Sequence, residues 1–156
     1  MTLDKFTIKA QEAVQAAVNI AQQNGQQSIE PVHLLKGVIE KGKDVTNFVF
    51  QKLGVNAQQI DTLVASEIQH LPRVQGGNVY LSNDANKVLT RAQEYATKMG
   101  DEFVSIEPIL LALLDVSSTA SRILHDAGCA EKEMTKAITE LRQGQNVKSQ
   151  SGDENY

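Results

Sequence analysis

A chain of 156 residues with 41% apolar and 22% charged side chains falls in the range of one globular core, not of a disordered segment. Nineteen acidic against fifteen basic residues, no tryptophan and few other aromatics supply neither the basic face that phosphate backbones require nor the stacking platforms of single-strand binders. One cysteine excludes an internal disulfide and no window nears the roughly 18 unbroken apolar residues of a membrane span, so a reducing, cytoplasmic setting without nucleic-acid or membrane contact is expected.

Apolar residues recur at Ala10, Ala13, Val14, Ala17, Val18 and Ala21, the spacing of one helix face. Thr7 is the natural N-cap and Asn24-Gly25 the stop, so the first helix is predicted from about Ile8 to Gln23. Pro31 opens a second helix with Val32, Leu34, Leu35, Val38 and Ile39, broken by Lys41-Gly42-Lys43-Asp44. A third runs from Val45 to Leu53-Gly54, and a fourth, capped by Asn56, turns Ile60, Leu63, Val64 and Ile68 inward. Gln69 to Tyr80, with a proline and a Gly-Gly pair, has no helical period and reads as a connector with a short extended piece at Asn78 to Leu81.

The chain then repeats itself. At an offset of 75 positions Ala10, Ala13, Val14, Ala17 and Ala21 fall on Ala85, Val88, Leu89, Ala92 and Ala96, Thr7 on Ser82 and Gly25 on Gly100. Ser82 caps helix five and Met99-Gly100 ends it; Ser105 caps helix six, which reaches Leu114; Ser117 or Ser118 opens helix seven to Ala127, stopped by Gly128. Helix eight, about Ala130 to Arg142, places Met134, Ala137, Ile138 and Leu141 on one face at an offset of 74. Self-similarity at a fixed period predicts an all-α fold of eight helices in two pseudo-symmetric four-helix repeats. Residues 1–143 form the domain, with repeat one at about 6–68, the connector at 69–80 and repeat two at about 81–142; the polar, aperiodic residues 144–156 read as a flexible linker at the end of a piece of something longer.

Few residues invite chemistry. His33, His70 and His125 lie far apart without metal-ligand spacing, Cys129 aligns with the plain hydrophobe Val55, and Lys36, Lys41 and Lys43 read as charges suited to a helix C-terminus. No nucleophile-base grouping and no GxxxxGK[ST] phosphate loop occurs. Leu110, Leu111, Leu113 and Leu114 exceed one stripe, the mark of a helix buried nearly all round.

MTLDKFT at the start, SIEPVHLL at the head of helix two, LPRVQG in the connector, GDEFVSIE between helices five and six and the Ala-Gly pair before helix eight together resemble, in order and over nearly the whole chain, the N-terminal domains of ClpB-type AAA+ protein disaggregases. The family often has Glu-His where this chain has Glu107-Pro108, a proline early enough in its helix to be tolerated. The resemblance implies a domain that recognises unfolded or aggregated polypeptides and passes them to an ATP-driven pore, with Thr7, Asp101 and Glu107 at the positions that engage substrate protein. It further implies a monomeric fragment without cofactor of its own and no enzyme activity, and a homohexameric parent that uses ATP and magnesium and works with the DnaK chaperone system. The related ClpA and ClpC unfoldases would imply docking of an adaptor protein instead. Taken residue by residue, Thr7 is also an N-cap, Asp101 a turn residue and Glu107 a first-turn acid favoured by the helix dipole.

Overall fold

The computed structural model describes residues 2–154; Met1, Asn155 and Tyr156 lie outside the described residues. Among the described residues are eight α-helices: α1 (Ile8–Gln23), α2 (Pro31–Lys41), α3 (Lys43–Leu53), α4 (Ala57–His70), α5 (Asn83–Lys98), α6 (Ile106–Asp115), α7 (Thr119–Ala127) and α8 (Glu131–Arg142). The expected caps close their orphan amides: Thr7 Oγ1 accepts from Ala10 at 3.1 Å, Asn56 from Gln59 at 3.0 Å, Ser82 from Ala85 at 3.0 Å and Ser118 from Ser121 at 3.2 Å. Gly54 and Gly128 end α3 and α7 in the left-handed conformation. Ser105 departs from expectation. Its hydroxyl makes no cap bond to α6 and accepts instead from Arg142 at 2.8 Å.

The two repeats are intertwined. α1 lies on α2 and α5 on α6, as the period requires, but α8 packs against α3 of the other repeat and α4 against α7. α2 and α6 meet in the middle, and every residue of α6 from Ile106 to Leu114 is buried, as its all-round apolar surface predicts. Each repeat also lends its neighbour one extended residue. Ile29, in the strand β1 (Ser28–Ile29), pairs in parallel with Leu81 of β2 (Tyr80–Leu81), and Phe6 pairs in parallel with Val104. The offset of 75 maps Phe6 onto Leu81 and Ile29 onto Val104, so the two bridges are the same contact made twice. The short extended piece before Leu81 is legible in the connector; its partner Ser28–Ile29 is not.

Where repeat one closes, the buried polar groups are neutral. His33 Nδ1 accepts from the Glu30 amide at 2.9 Å, which leaves Nε2 as the donor to Gln26 Oε1 at 2.7 Å. Gln26 Nε2 in turn donates to the Ile68 carbonyl at 2.5 Å, tying the α1–α2 turn to the end of α4. Burial lowers the His33 pKa below 6.5, and the charge of Glu30 opposes this only in part. A histidine held neutral stabilises the fold above its unfolded pKa, and that stability is lost as pH falls through 6.5 toward the folded value. Melting temperature is therefore expected to drop between pH 7.5 and pH 5, and the difference between wild type and His33→Gln should narrow across that window; a constant difference would remove His33 as the cause.

Candidate functional site

Thr7, Asp101 and Glu107 come together on one seam, where the head of α1 meets the α5–α6 turn. Gly100, at φ 77, turns the chain out of α5, and the Asp101 amide donates back to the Ala96 carbonyl at 2.9 Å. Val104 is then held on both sides of Phe6, its amide donating to Lys5 at 2.7 Å and its carbonyl accepting from the Thr7 amide at 2.9 Å. The side chains of Asp101 and Glu107 are both fully buried.

The residue that joins the two acids is Arg142, at the end of α8. Its Nη1 donates to both carboxylate oxygens of Asp101 at 2.8 Å, its Nε to Glu107 Oε1 at 2.9 Å and its Nη2 to Ser105 at 2.8 Å. One planar guanidinium thus serves two carboxylates and a hydroxyl, a geometry that a lysine ammonium does not reproduce. Glu107 is thereby joined to Asp101 through Arg142. Sequence reasoning missed Arg142, although a signal existed. Met134, Ile138 and Arg142 form the inward stripe of α8 at fourfold spacing, and the matching stripe of α4 is Ile60, Val64 and Ile68, so a cation stands where its repeat partner is apolar.

Residues 144–154, expected as flexible linker, are folded across this seam. Gln143 (φ 51) and Gly144 (φ 85) reverse the chain after α8. The Glu102 amide then donates to the Val147 carbonyl at 2.7 Å, the Val147 amide donates to Asp101 Oδ1 at 2.9 Å, and the Ile8 amide donates to the Gln150 carbonyl at 2.7 Å. Val147 is fully buried, and a short 3-10 turn (Gly152–Glu154) delivers Asp153 to Thr7, whose hydroxyl donates to Asp153 Oδ2 at 2.7 Å. Burial raises the Asp153 pKa, with Thr7 and Lys9 pulling the other way, and Oδ1 has no hydrogen-bond partner among the described residues.

The physical reason for this order is that the segment does for repeat two what the connector does for repeat one. Both come directly after the fourth helix of their repeat and cross the turn between its first two helices. The Val74 amide donates to the Gly25 carbonyl at 2.8 Å on one side, and the Glu102 amide reaches Val147 on the other. The LPRVQG connector is thus the sequence precedent for the tail, and Val147 is the one aliphatic residue in that polar stretch.

The remaining candidates are structural. His70 Nδ1 meets the Ser66 carbonyl at 2.7 Å, His125 Nε2 meets the Leu114 carbonyl at 3.0 Å, and no metal-binding cluster of His, Cys, Asp or Glu exists among the described residues. Cys129 is buried, its thiol pushed up to about 11 by desolvation, which suits packing and not reactivity. Lys36 leaves its helix dipole to pair with Asp61 at 2.7 Å. Among the described residues no helix is long and apolar enough to cross a membrane.

A duplicated helical module, intertwined through its central helices and closed on one side by a charged cluster, is the class the fold defines. The chain belongs to the Clp repeat (R) N-terminal domain family, whose profile matches residues 5–154. It corresponds to the N-terminal domain of ClpB-type chaperones: over its whole length it is 58% identical to the chaperone protein ClpB of Bacteroides thetaiotaomicron and 47% identical to that of Porphyromonas gingivalis. It spans 18% of the length of each of these relatives. The crystal structure of the Hsp104 N-terminal domain from Candida albicans shares the fold, with a TM-score of 0.84 over 96% of this chain and 99% of that one at 23% identity.

Proposed function

We propose that the seam between Thr7 and the Asp101–Val104 turn binds extended segments of unfolded or aggregated protein, and that within a longer parent it hands them to an ATP-driven pore. The observation that carries this reading is that the seam already holds a peptide backbone: Ile8 and Glu102 present amide donors, Asp101 a carboxylate acceptor, and an aliphatic side chain is buried between them. An unfolded client offers the same groups, unpaired amides and carbonyls with exposed apolar side chains, whereas a native protein has them satisfied internally. Thr7 and Asp101 would meet the client, with Glu107 and Arg142 holding Asp101 in place. ATP, magnesium, the homohexameric assembly and cooperation with the DnaK chaperone system belong in this proposal to the parent. Weak affinity at each of six copies would suffice, because tethering near the pore raises the local client concentration.

The test is an amide chemical-shift map with a permanently unfolded client, reduced carboxymethylated lactalbumin, against its native form. The expected result is shifts at Ile8, Glu102, Val104 and Val147 with the unfolded form and none with the native one. Tight binding of one folded partner with indifference to unfolded chains would instead favour adaptor docking, and shifts confined to another face would displace the site.

A further inference from the structure

We propose that residues 145–154 are a tethered competitor for the seam, so that an unfolded segment enters only by displacing them; the inference rests on the client-binding reading above. Three observations bear on it. First, the segment makes its bonds with groups at four separate points, Asp101 and Glu102, Ile8, Thr7, and the Asp4 carbonyl, which accepts from Gln150 Nε2 at 3.3 Å, so it occupies the length of the seam and not one end of it. Secondly, its grip depends on few side chains. Val147 is the one buried aliphatic, and Lys148, Ser149, Gln150 and Ser151 are exposed and polar. Thirdly, the segment carries a flaw at its far end: Asp153 is buried with Oδ1 lacking a partner among the described residues, a cost that a neutral or better-placed client residue would not incur.

Together these describe a weak ligand kept in place by its attachment to α8. A segment joined through the short turn at Gln143-Gly144 has an effective concentration on the order of millimolar, enough to cover the seam without strong contacts. The class of client that wins is then defined by what the segment does poorly: an extended stretch with more than one aliphatic anchor and no carboxylate to bury against Thr7. Native loops with a single anchor would be turned away, which separates unfolded from folded protein at the point of entry.

Val147→Asp in the full 156-residue chain tests this, because the substitution alters the segment and leaves Thr7, Asp101, Glu107 and Arg142 intact. Amide hydrogen exchange at Ile8 and Glu102 is expected to accelerate, and affinity for fluorescently labelled, reduced carboxymethylated lactalbumin to rise about tenfold, the scale set by losing one buried aliphatic anchor. Val147→Ala, which empties the same space without adding a charge, should move both readouts in the same direction by less. A synthetic peptide of residues 145–154 should compete with the client for the Val147→Asp protein. Faster exchange with unchanged or weaker client binding would overturn the proposal. Absence of client binding by wild type and both variants would strike the client-binding reading itself, whatever the exchange rates show.

Discussion

Arg142→Ala is expected to lower the unfolding free energy by about 3–5 kcal/mol, the range for removing one partner of a buried ionic cluster. The loss is not mainly that of the individual hydrogen bonds. Without the guanidinium, the carboxylates of Asp101 and Glu107, both with fully buried side chains, are left out of water without the cation that joined them. Against a total stability of about 5–15 kcal/mol for a domain, such a loss should shift the melting temperature by about 10 °C. Arg142→Lys should recover little, since one ammonium does not reach Asp101, Glu107 and Ser105 in the fixed fork of a guanidinium. Neutralising the whole cluster with Arg142→Met, Asp101→Asn and Glu107→Gln should recover most of it. Urea denaturation measures all three, and a single-variant loss below about 1 kcal/mol would show the cluster to be solvated in solution. The same reasoning makes Glu107→Ala a poor probe of binding, because it changes the support of Asp101 together with any contact to a client.

Gly37→Ala should also destabilise strongly, against the sign that helix propensity alone predicts. Alanine in place of glycine within a helix is worth about 1 kcal/mol in its favour. At this position, however, a Cβ would lie 2.1 Å from the carbonyl oxygen of Ala13 and 3.2 Å from the amide nitrogen of Ala17. Both atoms are backbone, so α1 and α2 must move apart as bodies, opening contacts along Ala10, Ala13, Ala17 and Leu34. Overpacking of a tight core costs about 1–3 kcal/mol and more where backbone is the obstacle, so the steric effect wins by about 2 kcal/mol. A thermal melt of Gly37→Ala should fall below that of wild type and Gly37→Val should not fold; a higher melting temperature for Gly37→Ala would contradict the close approach. At the offset of 75, repeat two has Ala112 in place of Gly37 and Val88 in place of Ala13, so the pair of small residues that permits the close approach belongs to repeat one.

The candidate site is only half legible in the sequence. Thr7, Asp101 and Glu107 belong together on the strength of a family resemblance, and the fold does bring them to one seam. That two of them are bound to one arginine some forty residues away, and that the third is roofed by the tail, depends on contacts of long sequence separation such as Arg142 to Asp101 and Asp153 to Thr7. Local pattern carries no record of such pairs. Ser105 shows the limit at the level of one side chain. By spacing it is an N-cap, yet a buried guanidinium nearby competes for the same hydroxyl, and a hydrogen bond to a charged donor is worth more than one to a terminal amide.

The eight helices, their ends and the duplication are legible in the amino-acid order alone, because periodicity, capping residues and glycine stops act within a few residues of one another. How the repeats share their parts depends instead on contacts distant in the chain. α8 covers α3 and α4 covers α7, the turns exchange the Ile29–Leu81 and Phe6–Val104 bridges, and the polar tail becomes a strap over the seam. The exchanged helix packings and bridges result from burial: four helices of one repeat leave apolar stripes and open backbone amides that another copy of the same pattern can cover, while the strap covers the turn of its own repeat.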